Sequence, residues 1–508
     1  MAWPNPFRTK TENTRNAWGY EFELTPQHLT PKQYDPLKYT YDELGEAALN
    51  RLNEIAPPAS VGEIPRNSTR DLPTVSGNGP GEKEVPVTNA NVHESAEKQE
   101  NKQKPPARDL YELLKRHAGE DEVLSKLWKE LNTVPEWVDW DQISRGQDVF
   151  YRYGGANLTG LAYQSLLGGM GAARVVETLA RTGGFSTKVA RGRLFETTQH
   201  VLQCTKSLES IQPGGDGFAS TIRVRLLHAA VRNRIMKLEA SRPGYYDVKE
   251  WGIPINDLDS IATIDTFSAS IIWLSLPRQG LYLREQEAVD YIALWRYVAY
   301  LIGCPHEGFF ENTAQAKRIF ESLLLYEIHP SPTSQVLANN IIKCLQDQPP
   351  GYASADFLIA GARWLNGNKL CDALGLPRPS LYYSLLMAGQ CVFFCFWCYL
   401  YRAIPSWDRR KIDTLRRIFW AIVVESKYGL KGEMTSFNFK YVPEYETITE
   451  MGGAGEAQLK YQGVEWRNLK TLVIASGVAG VVAWGGFRLG LGMVRLGVSA
   501  TGWLLSRF

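Results

Sequence analysis

The chain has 508 residues, a formal net charge of +2, and ordinary hydrophobic and charged fractions of 44% and 22%. This length allows two or three average domains, or one large helical domain with appendages. A charge so close to zero gives no reason to expect a nucleic-acid groove, and no nucleic-acid partner is predicted. The seven cysteines are an odd number and show no zinc-ligand pattern, so we expect buried free thiols.

The first 107 residues are predicted to lie outside the main body. The N-terminal extension, residues 1–56, contains one short helical pattern from Tyr41 onward, either docked on the main body or free. Residues 57–107 are rich in Pro, Gly, Ser, Asn and Glu and have almost no aromatic residues. Such a segment buries too little apolar surface to offset its ordering entropy, so a disordered linker is predicted.

Residues 108–443 are predicted to form one all-α domain, because no stretch alternates strictly and hairpin signals are scarce. Two helices flank Gly119, and a third ends at Gly183 and Gly184. The next helix is predicted from Thr187 to Ser207. Further on, one helix is expected to be capped by Asp257 or Asp259 and stopped at Pro277. The following helix has an apolar stripe formed by Ala288, Ile292, Trp295, Ala299 and Ile302.

One histidine stands on the apolar face of a predicted helix. In "VRLLHAAVRNR", residues 224–234, His228 shares a face with Val224, Leu227 and Val231. The ordinary explanation is a core histidine whose nitrogens find backbone partners. The alternative is a metal or haem ligand aimed into a dry pocket, and this segment alone leaves both open.

No motif with a fixed mechanism accompanies this histidine in the sequence: there is no Walker loop, HExxH, GxSxG or CxxC pair. The remaining candidates are polar residues on helices that otherwise have the apolar pattern of buried core helices. Arg193 and Thr197 share a face with His200, and they would anchor an anionic group or cap a neighbouring helix. Glu177 has Arg181 four residues later, which is typical of an ordinary helix-surface pair.

Taken together in chain order, these elements resemble the catalytic domain shared by the latex-clearing rubber oxygenases and the fungal ER-bound oxygenase of mycophenolic acid biosynthesis. Within this family, the chain most resembles the fungal membrane-bound members. The resemblance covers roughly residues 109–305 and continues more weakly to about residue 443. Its most specific pieces are an RLxxT element at residues 193–197 and an RxxH element at residues 225–228. Glu177, sixteen residues before Arg193, matches the family's acidic position.

The resemblance implies a globin-like multi-helix core that holds a b-type haem, with His228 as the proximal iron ligand. It implies that Glu177, Arg193 and Thr197 lie in the haem pocket as catalytic residues. An apolar slot with one imidazole at its floor suits a haem. Arg225 and Arg232 stand within a turn of the ligand and would meet the haem propionates.

Two positions qualify this interpretation. His200 is the best competing iron ligand, because it lies on the face of Arg193 and Thr197. Some rubber oxygenases carry a lysine immediately before the threonine, and this chain has Glu196 there. A lysine-capped resting state is therefore not expected, and Glu196 is either a second pocket carboxylate or a solvated residue.

The expected function is a haem-dependent oxygenase that uses dioxygen on a lipophilic substrate. By resemblance, the reaction is oxidative cleavage or oxygenation of an alkene in an isoprenoid or polyketide-derived chain. Two alternatives stay open. One is another secondary-metabolism oxidation on the same haem scaffold, such as hydroxylation or coupling. The other is a non-catalytic helical membrane-associated protein.

Two apolar runs bear on membrane attachment. Residues 470–508 are predicted to be a C-terminal membrane anchor, because Thr471 to Phe487 is uncharged and just long enough to span a bilayer. The resemblance suggests the endoplasmic reticulum. The run from Leu381 to Tyr401 also has the length of a span, but a buried core helix is favoured. Residues 444–469 are expected to be a polar connector.

Overall fold

The structure, a computed structural model, describes residues 9–58, 108–182, 185, 190–437 and 463–505. Nearly all of the predicted linker at residues 57–107 lies outside the described residues. So do Gly183, Gly184 and most of the predicted connector at residues 444–469.

The described residues are mainly helical. In the first half, the α-helices are α1 (Pro31–Tyr34), α2 (Glu43–Ile55), α3 (Leu110–His117), α4 (Glu122–Asn132), α5 (Trp140–Arg152), α6 (Gly154–Gly160), α7 (Ala173–Arg181), α8 (Ala190–Thr205), α9 (Leu208–Ile211) and α10 (Asp216–Ser241). The second half contains α11 (Val248–Trp251), α12 (Asp257–Phe267), α13 (Leu276–Arg278), α14 (Glu285–Leu301), α15 (Thr313–Tyr326), α16 (Pro332–Leu345), α17 (Ala355–Asn366), α18 (Asn368–Ala373), α19 (Leu381–Ala403), α20 (Pro405–Trp420) and α21 (Val464–Leu505). A 3-10 turn at Asp35–Lys38 and π-helical segments at Leu161–Gly168, Ile271–Ser275 and Ala421–Glu425 complete the helical elements.

The predicted all-α class is confirmed, with one small exception. A hairpin near the N-terminus pairs β1 (Thr14–Ala17) with β2 (Tyr20–Glu23) in antiparallel register. Its two turn residues, Trp18 and Gly19, have φ values of 51° and 81°. Because such turns usually contain Asn-Gly or Asp-Gly, a Trp-Gly turn gave no hairpin signal in the sequence.

The two helices predicted to flank Gly119 are present, and each starts with an aspartate cap. Asp109 and Asp121 each accept hydrogen bonds from two backbone N–H groups in the first turn of α3 and α4. The predicted caps of α12 are wrong, because the side chain of Asn256 accepts the N–H of Asp259. Its predicted end at Pro277 is also wrong, since α12 already ends at Phe267 and Pro277 lies in the first turn of α13.

The N-terminal helix α2 is docked on the main body. It packs against α4 and α10 and buries Ala48, Leu49 and Leu52. Of the two alternatives for this segment, docking is therefore the one observed.

The core of the domain forms around α5, α10 and α14. Four of the five residues in the predicted stripe of α14 are buried, namely Ala288, Ile292, Trp295 and Ala299. The axes of α5 and α14 come close because Gly146 has no side chain, and a Cβ there would meet the carbonyl oxygen of Asp290. All seven cysteines are free thiols and six of them are buried, as predicted.

The expectation that the run from Leu381 to Tyr401 is a core helix is correct for only one of its faces. Along α19, Leu386, Met387 and Phe394 are buried, whereas Leu381 and Phe396 are 73% and 60% exposed. The exposed face is apolar. α19 also packs against α21, whose span from Val464 to Gly486 has no buried residue in its most apolar window. By length and composition, both helices could cross a membrane.

Candidate functional site

A cavity of about 720 Å³ lies among α7, α8, α12 and α17 and the π-helical segment Leu161–Gly168. Its walls are mostly apolar, with contributions such as Leu179, Leu194 and Phe267. This volume falls within the range of about 300–1,000 Å³ that is usual for small-molecule sites. The cavity is therefore the natural place for a lipophilic ligand.

Two of the predicted catalytic residues line this cavity. Arg193 and Thr197 are one turn apart on α8, and both belong to its wall. The Arg193 Nη1 atom lies 3.9 Å from Oε2 of Glu196, which is a loose ion pair. Glu196 itself stands outside the wall and accepts a hydrogen bond of 3.2 Å from the Thr435 hydroxyl. A guanidinium and a hydroxyl are thus available to a ligand in the cavity.

The predicted iron ligand, His228, lies on α10 and is half-buried. Its ring makes no hydrogen bond with any residue in the described part of the chain. Burial, together with the positive charge of Arg232, lowers the pKa of His228 to about 4. The imidazole is therefore neutral near pH 7, and a neutral imidazole has a lone pair free for a metal. Val224 and Leu227 on the same face are half-buried as well.

The competing histidine, His200, has the features of a satisfied core residue. It is 8% exposed, and its Nδ1 atom pairs with the Ser220 hydroxyl at 2.8 Å. The thiol of Cys204 lies 3.8 Å from the same ring. Burial lowers the pKa of His200 to about 4. Because this ring already has partners, it fits an iron ligand less well than His228 does.

The antiparallel packing of α8 on α10 brings His228 to the level of Arg193. Gly217 meets Cys204 near the connection between the helices, and Ser220 meets His200 one turn further on. His228 lies eight residues beyond Ser220, a rise of about 12 Å. On the antiparallel helix α8, eight residues before His200 is position 192, next to Arg193. His228 and Arg193 therefore lie at about the same height along the helix pair.

Glu177 stands on α7 at the same end of α8 and α10. Its Oε2 atom accepts a hydrogen bond of 2.6 Å from Arg181 Nη1, and Arg181 Nε donates to the carbonyl of Tyr245 at 2.7 Å. The neighbouring Tyr246 packs with Val231 of α10. Glu177 therefore lies close to the helix that carries His228, but neither residue lines the large cavity.

The contacts of Arg225 and Arg232 do not support their predicted role as cofactor-binding residues. Arg225 is 3% exposed and donates two hydrogen bonds of 2.7 Å to Asp42. Arg232 donates to Glu46 at 3.1 Å and to the carbonyl of Ile255 at 2.9 Å. Both guanidinium groups thus hold the N-terminal extension against α10. We leave them out of the proposed cofactor-binding set.

Asp265 is one of several polar residues of the cavity wall that sequence reasoning missed. It lies on α12 in the apolar run "IATIDTF", residues 261–267, and is 3% exposed. A single carboxylate on an apolar helix is usually paired elsewhere in the fold, so the sequence gave no reason to select it.

The donor set is compatible with a haem. The described residues contain no group of three or more His, Cys, Asp or Glu side chains that could hold a bare metal ion. A haem brings four nitrogens of its own and needs one imidazole from the protein. An unpartnered, neutral histidine on a half-open apolar face meets that need.

Comparison with known proteins finds similarity to one family of oxygenases. Residues 151–391 match the family described as "ER-bound oxygenase mpaB/B'/Rubber oxygenase, catalytic domain". The matched residues, just under half of the chain, are similar to that catalytic domain. A match with an oxygenase domain supports the predicted class, an oxidoreductase.

Individual relatives are distant. A rubber oxygenase from Streptomyces sp. (strain K30) is 20% identical over 275 residues, which is 52% of this chain and 63% of the relative. Aurantioclavine synthase cnsA from Penicillium expansum is 58% identical over only 33 residues, 6% of this chain and 7% of the relative. A solved structure of latex clearing protein LCP in the closed state has 18% identity and a TM-score of 0.45. That match covers 59% of this chain and 80% of the other.

Proposed function

We propose that this protein is a membrane-associated, haem b-dependent oxygenase that acts on a lipophilic substrate. The observation that carries the proposal is His228, a neutral imidazole without a hydrogen-bond partner among the described residues, level with Arg193 of the RLxxT element. Bound haem would supply the chemistry of dioxygen activation. The substrate would be an alkene of an isoprenoid or polyketide-derived chain, oxygenated or cleaved.

The residues of the chain have separate tasks in this proposal. His228 holds the iron, and its low pKa keeps the ring unprotonated across the physiological range. Arg193 and Thr197 orient the ligand from the cavity wall. Glu177 accepts or relays a proton, and Arg181 fixes the position of its carboxylate.

The apolar cavity and the apolar exterior helices support a substrate that dissolves in lipid. Along α21, Val473, Ile474 and Val481 are 62–69% exposed. Such a surface is costly in water and favourable in a bilayer. We propose that α21 anchors the protein in a membrane, that of the endoplasmic reticulum by the family's description. The outer face of α19 lies beside that anchor.

The proposal is tested by adding haem to the purified protein and then following the reaction with labelled dioxygen. We expect a Soret band with one haem per chain. From a prenylated aromatic substrate, we expect products that carry label at both new termini if the alkene is cleaved. Label at a single position would indicate hydroxylation on the same scaffold. The absence of a Soret band after haem addition would overturn the proposal and favour a non-catalytic membrane protein.

A further inference from the structure

Asp265 is the most unusual polar group in the cavity wall. Its side chain is 3% exposed, and its Oδ1 atom is buried without a hydrogen-bond partner. Neither carboxyl oxygen forms a hydrogen bond or ion pair with any residue in the described part of the chain. A buried carboxyl group that meets no partner within the protein costs free energy, so its presence in a ligand cavity calls for a ligand.

The surroundings favour the neutral form of this carboxyl group. Desolvation, assisted by the negative charge of Glu321 on α15, raises the pKa of Asp265 well above its usual range. Glu321 is itself held by His28 and Tyr20, at 2.9 Å and 3.0 Å. A neutral carboxylic acid has one O–H to donate.

The other charges of the cavity wall indicate what that O–H meets. The wall contains two acidic residues, Asp265 and Glu327, and four arginines, which are Arg174, Arg191, Arg193 and Arg278. Glu327 is already paired with Arg174 at 2.9 Å. A positively charged ligand would therefore be repelled by the wall as a whole. An uncharged oxygen that accepts a hydrogen bond is compatible with both the acid and the arginines.

We propose that Asp265 is a specificity-determining residue that donates a hydrogen bond to a carbonyl oxygen on an otherwise lipophilic substrate. The inference rests on the proposed function, because it takes this cavity as the substrate site. It narrows the substrate class from any alkene-containing lipid to one that carries an oxygen acceptor. An apolar hydrocarbon in the same position would leave the acid unpaired.

The test uses the full-length protein after haem addition, whether or not haem is taken up, and three probes of the same length. These are 2-undecanone, 2-methylundec-1-ene, in which a CH₂ group replaces the carbonyl oxygen, and 2-aminoundecane. Dissociation constants are measured by quenching of tryptophan fluorescence, since Trp18 lines the cavity. We expect the ketone to bind about tenfold more tightly than the alkene, the usual effect of one hydrogen bond to a buried donor.

Two variants and a control locate the effect. Asp265→Asn keeps an N–H donor and should keep the preference for the ketone, whereas Asp265→Leu should abolish it. Thr263→Val is the matched control, because Thr263 lines the same cavity on the same helix but donates its hydroxyl to the carbonyl of Asp259. This variant should keep the parent's preference for the ketone over the alkene.

Three results would overturn the inference: equal affinity for ketone and alkene, tightest binding of the amine, or no binding of any probe. The outcome is separable from that of the proposed function. A Soret band without a preference for the ketone would refute the role of Asp265 but not the proposed oxygenase. A preference for the ketone that depends on Asp265, in a protein that takes up no haem, would refute the oxygenase but not the binding site.

Discussion

Replacing Arg225 by methionine should destabilise the fold rather than empty a haem site. The change removes two hydrogen bonds of 2.7 Å to Asp42 and one of 2.9 Å to Glu130. Breaking a buried ion pair costs about 3–5 kcal/mol, because the remaining partner stays desolvated. The Asp42 side chain is 12% exposed, so loss of the pair with Asp42 accounts for most of this cost. The Glu130 side chain is 37% exposed, so loss of the pair with Glu130 adds only about 0.5 kcal/mol. We expect a loss of about 3 kcal/mol.

The measurement is urea denaturation of the haem-free protein, followed by tryptophan fluorescence, with a haem titration in parallel. Arg223→Met is the matched control on the same helix, because its pair with Asp109 is more exposed, at 17% and 24%. That variant should lose about 1 kcal/mol or less. If Arg225→Met lowered haem affinity while its unfolding free energy stayed at the parent value, the contact with α2 would be unimportant and a propionate role would be restored.

Three further predictions concern other parts of the chain. Asp265→Leu should gain stability over the parent by up to about 1.4 kcal/mol per pH unit as the pH rises above about 4, because the parent's carboxyl group ionises in the unfolded chain but stays protonated in the fold. A pH-independent difference in urea denaturation would contradict this. Gly389→Leu should detach α21 from α19, since a side chain there meets the carbonyl of Asn468, and tryptic cleavage within α21 should accelerate. An unchanged cleavage rate would speak against the packing. Arg181→Met should release the carboxylate of Glu177 and lower kcat about tenfold at unchanged haem content, whereas unaltered turnover would remove Glu177 from the reaction.

The helical fold follows from local signals that are strong in this sequence. Apolar spacing predicts α3, α4 and α14, because this signal lies within the element that it defines. The hairpin escaped prediction since its Trp18-Gly19 turn lacks the usual chemistry. The N-cap of α12 is Asn256 and not Asp257 or Asp259, although all three side chains are capable acceptors. Local pattern alone does not rank neighbouring caps.

The site was less accessible to sequence reasoning, because its decisive contacts are long-range. The partners of Arg225 and Arg232 lie 183 and 186 residues away on the far side of the predicted linker. Flanking arginines therefore looked free for a cofactor. Asp265 presents the opposite case: its lack of a partner emerges only when every neighbouring element is in place. Arg193, Thr197 and His228 were identified by resemblance to a family, and their roles remain proposals.

The most direct test compares haem binding by the parent protein, His228→Ala and His200→Ala, using the Soret band in a haem titration. The account predicts that His228→Ala loses the band of the parent, because the other histidines of the described residues all have hydrogen-bond partners. His200→Ala should keep the band at full amplitude, since its ring is bonded to Ser220. A His228→Ala variant that binds haem like the parent, or a loss confined to His200→Ala, would contradict the account.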